Sequence, residues 1–573
     1  MKRIVALILA ICMIAALSAC GGNKEGEMST DASQANNVSD FAQNSLEKQE
    51  QVAAENNITA AADLPFDESR KSTANSDERY ESIEFAQSLS PTEWQPYNMQ
   101  DAAKAFGRLM VYEFLFDRVG ANEYAPRIGK SWEKEDDTHY IVKIYEDVKD
   151  SKGNPIKASD VVFSYDLTKN SGFSQQFELY ESSEAIDDYT VRFTLNGPIT
   201  ALDGFNYIFA NIAIVAEASY DELLFSKEPI GTGPYIMTDF VTDSYCVFEV
   251  NDNYWATGDE RSELAKQNVQ KIRINFVTDA SMRMIMLENG TSICNPYLTA
   301  TDVDSFLKGG EFEGQFNLTT ISSSQSVTLL ANCSEESIMS DPNMRLACWY
   351  AIDTAALVTA LGDNAYTPCI VEAAPCIGDY QEAWNNITSY QTEYSIEKSK
   401  EYQEKAGYKG ETIKILSGTF PLKKNIVQIV SEMFRQAGIN SEIEIVEFVV
   451  QDEKVHNASA WDIYTDSQMD NDYTIKRLYN IYGTSAPQAE NGVSKSFIDD
   501  DKLQELLNSC NTLDNYDPVK TGDVIQYIID QAYGYATAYQ TSYTAWNKSI
   551  AKIVCPYGQD TTPRFNCCDY YLD

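Results

Sequence analysis

The sequence predicts an α/β protein in which strands and helices are interleaved without a fixed repeat. Residues 140–144, 191–195 and 272–276 alternate apolar and more polar side chains. That alternation is typical of half-buried strands, because successive side chains of a strand point to opposite faces. Helical patterns of apolar residues lie elsewhere in the chain, so the sheets are expected to pack against helices.

Two helices are predicted from their ends as well as from their spacing. Asp341-Pro342 is typical of a helix start, and apolar residues follow it at helical spacing as far as Gly362, which can end the helix. A second helix is predicted over residues 426–437, closed by Gly438 and followed by a strand at 443–445. A helix, a short turn and a strand in succession favour α/β construction.

The N-terminus has the pattern of a secretory signal. Lys2 and Arg3 precede an apolar run at residues 4–17, which is followed by Ser18-Ala19 and then Cys20. The run is shorter than the roughly 20 residues that cross a bilayer, and its end resembles a bacterial lipobox. We therefore expect residues 1–19 to be a signal peptide and Cys20 to be lipidated, which would hold the protein on the extracytoplasmic face of the cell membrane.

Residues 20–78 are rich in Asn, Ser, Ala, Gln and Glu and contain few aromatic residues. This composition predicts a flexible tether between the anchor and the folded body. The nearly five hundred residues that follow are enough for several domains.

The charge and the cysteines restrict the possible partners and compartments. With 86 acidic and 44 basic residues, the formal charge of -42 argues against nucleic acid or an anionic membrane surface as a partner. Ten cysteines remain after Cys12 and Cys20, and none forms a CxxC pair. Cys369 and Cys376 are the nearest plausible disulfide, with free buried thiols as the alternative.

Motifs of enzyme chemistry are missing from the sequence. His139 and His456 are the only histidines, and HExxH, GxSxG, Walker and GxGxxG patterns do not occur. Some of the 86 acidic residues will pair by chance, so a glycosidase has no specific support. We therefore predict no catalytic residue, no metal site and no cofactor.

Short motifs occur in one order along the chain. Gly153-Asn154-Pro155 is followed by Gly231-Thr232-Gly233-Pro234-Tyr235 and then by Asn251-Asp252-Asn253-Tyr254-Trp255. The series continues through Asp341-Pro342-Asn343-Met344-Arg345 and Trp461-Asp462-Ile463. It resembles the extracellular solute-binding proteins of peptide-type ABC importers, the oligopeptide- and dipeptide-binding lipoproteins, from about Glu81 to the C-terminus.

The chain departs from this family pattern at two places. The usual run of glycine, an acid, isoleucine and aspartate is here Gly290-Thr291-Ser292-Ile293-Cys294, and the usual tryptophan before Asp472-Tyr473 is missing. Other motif residues have simple structural interpretations. Gly231 and Gly233 can allow positive φ in a tight turn, and Arg345 with Asp353 suggests a surface or interlobe contact.

The resemblance implies a two-lobed, hinged, periplasmic-binding-protein-like α/β fold with an additional inserted domain. In this sequence the resemblance implies a first lobe made of residues 79–115, 219–309 and a return at 531–573. It implies an insert at 116–218 and a second lobe at 310–530. A ligand held between the lobes would favour their closed arrangement, which a membrane permease could recognise.

The resemblance also implies a ligand site. Asp472-Tyr473 falls where the family has the Asp-Tyr pair whose carboxylate receives the α-amino group of a peptide, and Asp470 is the nearest substitute. A solvated acidic loop including Asp466 is the alternative.

We expect a monomer that binds peptides and works with an ABC permease. A metal chelate, an oligosaccharide or a signalling peptide remains an alternative ligand, and a cell-surface hydrolase or adhesin an alternative class.

Overall fold

The computed structural model describes residues 38–99, 101–171, 179–256, 263–362, 365–387, 389–468, 473–486, 493–555, 557 and 562–572. The α-helices of these residues are, in chain order, α1 (Val38–Glu55), α2 (Arg108–Val111), α3 (Ala158–Asn170), α4 (Gly204–Phe209), α5 (Glu222–Phe225), α6 (Ala280–Glu288), α7 (Ala300–Val303), α8 (Pro342–Tyr350), α9 (Thr354–Leu361), α10 (Ile396–Ala406), α11 (Pro421–Ala437), α12 (Phe448–Val455), α13 (Thr474–Tyr482), α14 (Asp501–Asn508) and α15 (Pro518–Asp530).

The strands alternate with these helices and confirm a mixed α/β protein. They are β1 (Tyr80–Gln87), β2 (Phe116–Gly120), β3 (Glu123–Pro126), β4 (Gly129–Lys134), β5 (His139–Ile144), β6 (Tyr180–Asp187), β7 (Thr190–Leu195), β8 (Tyr235–Val241), β9 (Tyr245–Val250), β10 (Val269–Phe276), β11 (Cys294–Leu298), β12 (Asn317–Ala331), β13 (Tyr366–Pro368), β14 (Thr412–Gly418), β15 (Asn440–Val446), β16 (Ile463–Gln468), β17 (Gly534–Trp546), β18 (Ile550–Lys552) and β19 (Asp569–Tyr570).

Three sheets contain most of the strands. The first sheet has the order β1-β10-β9-β8, and the middle sheet has the order β4-β5-β7-β6. The large sheet has the order β11-β17-β12-β16-β14-β15, with β13 on β17. β11 and β17 therefore pair in the large sheet, although they lie mainly in segments predicted for the first lobe. The predicted segment boundaries themselves stay a prediction.

The predicted half-buried strands are confirmed. The alternating apolar residues of β5, β7 and β10 are all buried: Tyr140, Val142, Ile144, Val191, Phe193, Leu195, Ile272, Ile274 and Phe276. The predicted helix at 426–437 is also present as α11, which ends at Gly438 in the left-handed conformation, with φ of 85°. Periodicity was sufficient here because one face of each element packs into a core.

The single helix predicted after Asp341-Pro342 is instead two helices. Asp341 caps α8 by accepting a hydrogen bond from the Asn343 amide at 2.8 Å, as the motif predicts. The chain then leaves the helix at Ala351, and Asp353 caps α9 through the Ala356 amide at 3.0 Å. The axes of the two helices differ by 52°. Asp353 therefore starts a new helix and does not share a helical face with Arg345.

Arg345 has a structural role inside the protein. It is 5% exposed, and its guanidinium donates hydrogen bonds to the carbonyls of Met339, Ser340 and Gln531. The surface contact expected for Arg345 is therefore wrong, whereas the interlobe contact stays a prediction, because Gln531 is the first residue of the predicted return to the first lobe. Within the described ranges, no single helix is long and apolar enough to span a bilayer. The bent pair of α8 and α9 reaches the length and the apolar composition of a membrane span only when the two helices are counted together.

The glycines of the most specific motif are required by close packing. Gly231 and Gly233 do not have positive φ, so the expected reason for them is wrong. A Cβ atom at Gly231 would overlap the carbonyl oxygen of Val111, and one at Gly233 would overlap the carbonyl oxygen of Met110. The motif thus lets one backbone segment lie directly against another.

Two long strands connect separate hydrophobic cores. β12 has 15 residues and β17 has 13. Leu329 of β12 and Tyr535 of β17 belong to the large core around the large sheet, whereas Trp546 at the end of β17 belongs to the first core, behind the first sheet. The pairing of β12 with β17 shifts register between Ser322 and Ser326. Such an irregularity weakens the ladder locally and bends it.

The middle sheet has a hydrophobic core of its own. This middle core is made by residues between Leu115 and Ala216, including Val142, Tyr165 and Phe193. The segment predicted as an insert therefore contains the apolar residues needed to pack its own sheet.

Residues 38–78 are folded, and the prediction of a flexible tether is wrong for them. α1 occupies 18 of these residues and places Ala42, Ser45 and Gln49 in buried positions on one face. These positions have helical spacing, but two of them are polar and one is small, so the apolar period that reveals an amphipathic helix is weak.

None of the ten described cysteines forms a disulfide. Cys369 is buried and Cys376 is exposed, so the nearest disulfide suggested by the sequence does not form. Burial raises the pKa of the Cys369 thiol to about 12, which keeps it protonated and unreactive.

Candidate ligand-binding site

Tyr473 lies at a contact between two parts of the fold. It directly precedes α13 and is 6% exposed. Its hydroxyl accepts a hydrogen bond from the Asn122 amide at 2.5 Å, and its ring meets the Tyr516 ring edge-on, with centroids 4.9 Å apart. Asn122 lies between β2 and β3, in the predicted insert. Asp470 and Asp472 lie outside the described residues, so their role as ligand contacts stays a prediction.

Asp379 holds the beginning of α13 in place. Both of its carboxylate oxygens accept the Thr474 amide at 2.9 Å, and Oδ1 also accepts the Thr474 hydroxyl at 2.7 Å. Burial raises the pKa of Asp379, although these hydrogen bonds act in the opposite direction. A carboxylate at this end of a helix satisfies amides that have no partner within the helix. Asp379 therefore holds Thr474, the first residue of α13.

An ion triad joins α13 to the predicted insert. Lys476 donates to Asp203 Oδ2 at 2.7 Å and to the Tyr207 hydroxyl at 2.9 Å. The other oxygen of Asp203 accepts from Arg118 at 2.6 Å. Asp203 is 4% exposed and has φ of 63°, a conformation that aspartate adopts more readily than most residues. One buried carboxylate thus binds cations from both sides of the contact.

Backbone groups add a further contact between the same regions. Ala201 forms a β-bridge with Thr512, and the Leu513 amide donates to the Thr200 carbonyl at 2.8 Å. These contacts, together with Tyr473 and Lys476, hold the middle sheet region against the elements around the large sheet. The two regions are therefore in direct contact in this structure.

Arg477 connects α13 to the register shift between the long strands. It is fully buried and donates to the Ser326 hydroxyl at 2.6 Å, next to the shift. Its Nε lies 4.0 Å from Glu372 Oε1, and the other oxygen of Glu372 accepts the Tyr482 hydroxyl at 2.8 Å. Burial raises the pKa of Glu372, while Arg477 and the Tyr482 hydrogen bond act in the opposite direction. Because Arg477 belongs to α13 and Ser326 to β12, a movement of β12 would displace a direct hydrogen-bond partner of α13.

Two lysines lie near Asp466, a buried carboxylate at the carboxyl end of β16. Asp466 is 4% exposed, so its assignment to a solvated acidic loop is wrong. Lys495 lies 3.4 Å from Asp466 Oδ2, and Lys423 donates to the Thr465 carbonyl at 3.2 Å. Burial lowers the pKa of Lys423, with Asp466 acting in the opposite direction and Lys495 adding to the lowering. Ligands commonly bind beyond the carboxyl ends of parallel strands, and β16 is parallel to β14.

Local sequence patterns do not predict these contacts, because the partners are far apart in the chain. Lys476 and Asp203 are 273 residues apart, and Thr474 and Asp379 are 95 residues apart. Among the described residues, no three His, Cys, Asp or Glu side chains form a group that could hold a metal ion. Cys20, the predicted lipidation site, lies outside the described residues.

The family relationship is clear from the sequence. The model of the bacterial extracellular solute-binding proteins of family 5, middle part, matches residues 123–490, more than half of the chain. The chain belongs to this family, which confirms the resemblance inferred from the motifs. The members of the family are substrate-binding proteins of transporters and not enzymes.

Named relatives differ in what they bind. The heme-binding protein A of Haemophilus influenzae is 27% identical over 328 residues, which are 52% of this chain and 56% of that protein. The dipeptide-binding protein of Escherichia coli is 25% identical over 319 residues, with 51% and 56% of the two chains covered. The chain thus spans little more than half the length of either relative.

Solved structures show the same two-lobed fold. The oligopeptide-binding protein AppA from Bacillus subtilis, in complex with a nonapeptide, has a TM-score of 0.69 at 18% identity, covering 87% of this chain and 100% of that one. NikA from Brucella suis, in complex with Fe(III)-EDTA, has a TM-score of 0.68 at 18% identity, with 85% and 99% covered. The two-lobed periplasmic-binding-protein fold is therefore established for this chain.

Proposed function

We propose that this protein captures a peptide between its two lobes and delivers it to an ABC permease. The observation that carries this proposal is the position of Tyr473, which follows the predicted amine-binding residue in the sequence and whose hydroxyl accepts a hydrogen bond from the Asn122 amide. A ligand held at this point contacts groups that meet only when the lobes close, so its binding energy favours closure. The closed form can then be recognised by the permease.

We further propose the partition of the chain into lobes. Residues 79–115, 219–309 and 531–573 would form the first lobe, 116–218 the insert and 310–530 the second lobe. The separate middle core and the strands of the first sheet support this partition. β12 and β17 would then be the two crossings between lobes, with their register shift as the hinge.

Asp472 is the proposed partner of the peptide's α-amino group, with Tyr473 beside it and Asp470 as the nearest substitute. A cationic amine that leaves water needs a charged partner, and one carboxylate supplies a charge-assisted hydrogen bond. Because this bond does not depend on the peptide's side chains, it is compatible with broad specificity. Asp379, which holds Thr474, supports the proposal by fixing the start of α13.

A second candidate ligand is a chelate or macrocycle that carries carboxylate groups. Lys423 and Lys495 near Asp466 provide two cationic groups at the carboxyl end of β16, which would suit the carboxylates of such a ligand as well as the C-terminus of a peptide. Relatives named for heme and nickel fit this alternative. Peptides, heme and a nickel–histidine chelate, offered separately, distinguish the two.

We also propose that the mature protein is a lipid-anchored monomer on the extracytoplasmic face of the membrane. The support is the signal-like N-terminus that ends at Cys20, together with the extracellular family to which the chain belongs. A diacylated or triacylated cysteine would be needed for stable anchoring, because one chain binds a membrane only reversibly.

Replacing Cys20 by alanine is expected to abolish anchoring. The Cys20→Ala protein should be released into the medium or remain unprocessed, because the acylated thiol is lost. Fractionation of cells followed by mass determination of the N-terminus measures both outcomes, with Cys12→Ala, inside the predicted signal, as the control. A Cys20→Ala protein that is processed and membrane-bound like wild type would contradict lipidation.

A further inference from the structure

The N-terminal arm, residues 38–76, contacts the hydrophobic cores in succession. Leu46 packs against the large core. Val52, Ala53 and Ile58 pack into a small cluster that also contains residues of α6, β12 and β17, and we call it the linking cluster. Ala61 then belongs to the first core. The arm therefore runs from one core to the other along the same path as the two long strands.

Gln49 fastens the arm on the side of the large sheet. It is 8% exposed, and its amide donates to the Tyr366 carbonyl at 3.3 Å and to the Thr367 hydroxyl at 3.2 Å. Its carbonyl oxygen accepts the Thr541 hydroxyl at 2.9 Å. One buried side chain thus joins α1 to both β13 and β17, and a buried amide with these partners is costly to separate from them.

The arm is fastened again at the beginning of β12. Thr59 forms a parallel bridge with Thr319, and its carbonyl accepts the Thr320 amide at 2.9 Å. Asn56 accepts the Lys308 amide at 2.7 Å. These contacts lie on the opposite side of the Ser322–Ser326 register shift from the large core.

The last part of the arm is bound to the C-terminal segment. Phe66 stacks on Tyr571 with centroids 6.1 Å apart, and Arg70 lies 3.7 Å from the centroid of the same ring. The Tyr570 amide donates to the Thr73 hydroxyl at 3.0 Å. The arm therefore has firm attachments beyond both ends of the crossing.

We propose that the N-terminal arm is a strap across the hinge that resists separation of the lobes. β12 and β17 pair as a ladder through the register shift, and the arm is a third crossing, from Leu46 on the large core to Phe66 and Thr73 on the C-terminal segment. A rotation about the register shift, the hinge of the proposed function on which this inference rests, changes the distance between these two ends of the arm, so opening must loosen one of its attachments. The strap stabilises the closed arrangement whichever ligand is bound.

Hydrogen exchange at a distant contact between the lobes tests the strap without any ligand. The Leu513 amide donates to the Thr200 carbonyl, and neither residue contacts the arm through any hydrogen bond of the described chain. In Gln49→Ala, the segment around Leu513 should exchange about fivefold faster than in wild type, because opening becomes easier by about the net contribution of one hydrogen bond. Ile58→Ala, in the linking cluster, should act in the same direction.

Gln51→Ala is the matched control, because Gln51 lies on the exposed face of α1 and bonds only to Glu55 there. This variant should leave exchange at Leu513 unchanged. The proposal is overturned if Gln49→Ala and Ile58→Ala speed exchange only at their own contacts. It is equally overturned if all protected segments of the chain exchange faster by the same factor, since the arm would then contribute to stability alone.

Discussion

Replacing Asp472 by asparagine is expected to weaken the binding of peptides with a free amino group by roughly 3–5 kcal/mol, the usual cost of stranding one member of a buried ion pair. The amide keeps the size of the side chain but loses the charge that the ammonium group needs. Titration calorimetry with a tripeptide library measures the loss directly.

Two comparisons make this test specific. The same library with acetylated N-termini should bind weakly to wild type, because the Asp472 carboxylate then has no ammonium partner, and no more weakly to Asp472→Asn, in which no charge is left unpaired. Asp470→Asn, two residues away in the same polar segment, is the matched control and should bind as wild type does. If wild type binds both libraries equally, or if Asp470 and not Asp472 proves essential, the assignment of the amine to Asp472 is wrong.

Replacing Arg477 by methionine is expected to lower the free energy of unfolding by roughly 3–5 kcal/mol, because Glu372 would remain in the interior without its cation. Burial already raises the pKa of Glu372, and loss of the Arg477 charge would raise it further above its value in the unfolded chain. A carboxyl whose folded pKa lies above its unfolded pKa loses stability as pH rises between the two values. The loss caused by Arg477→Met should therefore be larger at pH 8 than at pH 5, as denaturant unfolding can measure.

Arg435→Met is the control for this prediction, because Arg435 pairs with Glu432 on the protein surface, with 72% of its side chain exposed. Surface pairs of this kind contribute little, so no measurable change is expected. The double variant Arg477→Met/Glu372→Gln should recover part of the stability by removing the stranded charge. An Arg477→Met protein as stable as wild type at pH 8 would show that the buried pair does not stabilise this fold.

The fold was predictable wherever burial left a periodic apolar pattern. β5 and β7 alternate apolar residues, and α11 has an apolar stripe and a closing glycine, so local sequence was sufficient. α1 was missed because its buried face contains Ser45 and Gln49, which are stabilised by packing and by hydrogen bonds that form only in the tertiary structure. The break between α8 and α9 was missed because apolar residues continue through it.

The site was predictable only as far as a motif could place it. Asp472-Tyr473 could be located from its order among the other motifs, and Tyr473 does lie beside the insert. Lys476 and Asp203, in contrast, meet across the contact between two regions with separate hydrophobic cores, and each looks like an ordinary surface charge in its own segment. Asp466 looked equally solvated in sequence, yet the fold buries it beside Lys495.

Ligand-dependent thermal stabilisation tests the central claim, that the chain is a peptide-binding member of its family. A ligand at a hundred times its dissociation constant adds about 2.7 kcal/mol to the free energy of unfolding. The unfolding temperature of the full protein should therefore rise with a pool of short peptides and stay unchanged with heme or with a nickel–histidine chelate. A rise with heme or with the nickel chelate, and none with peptides, would contradict the account.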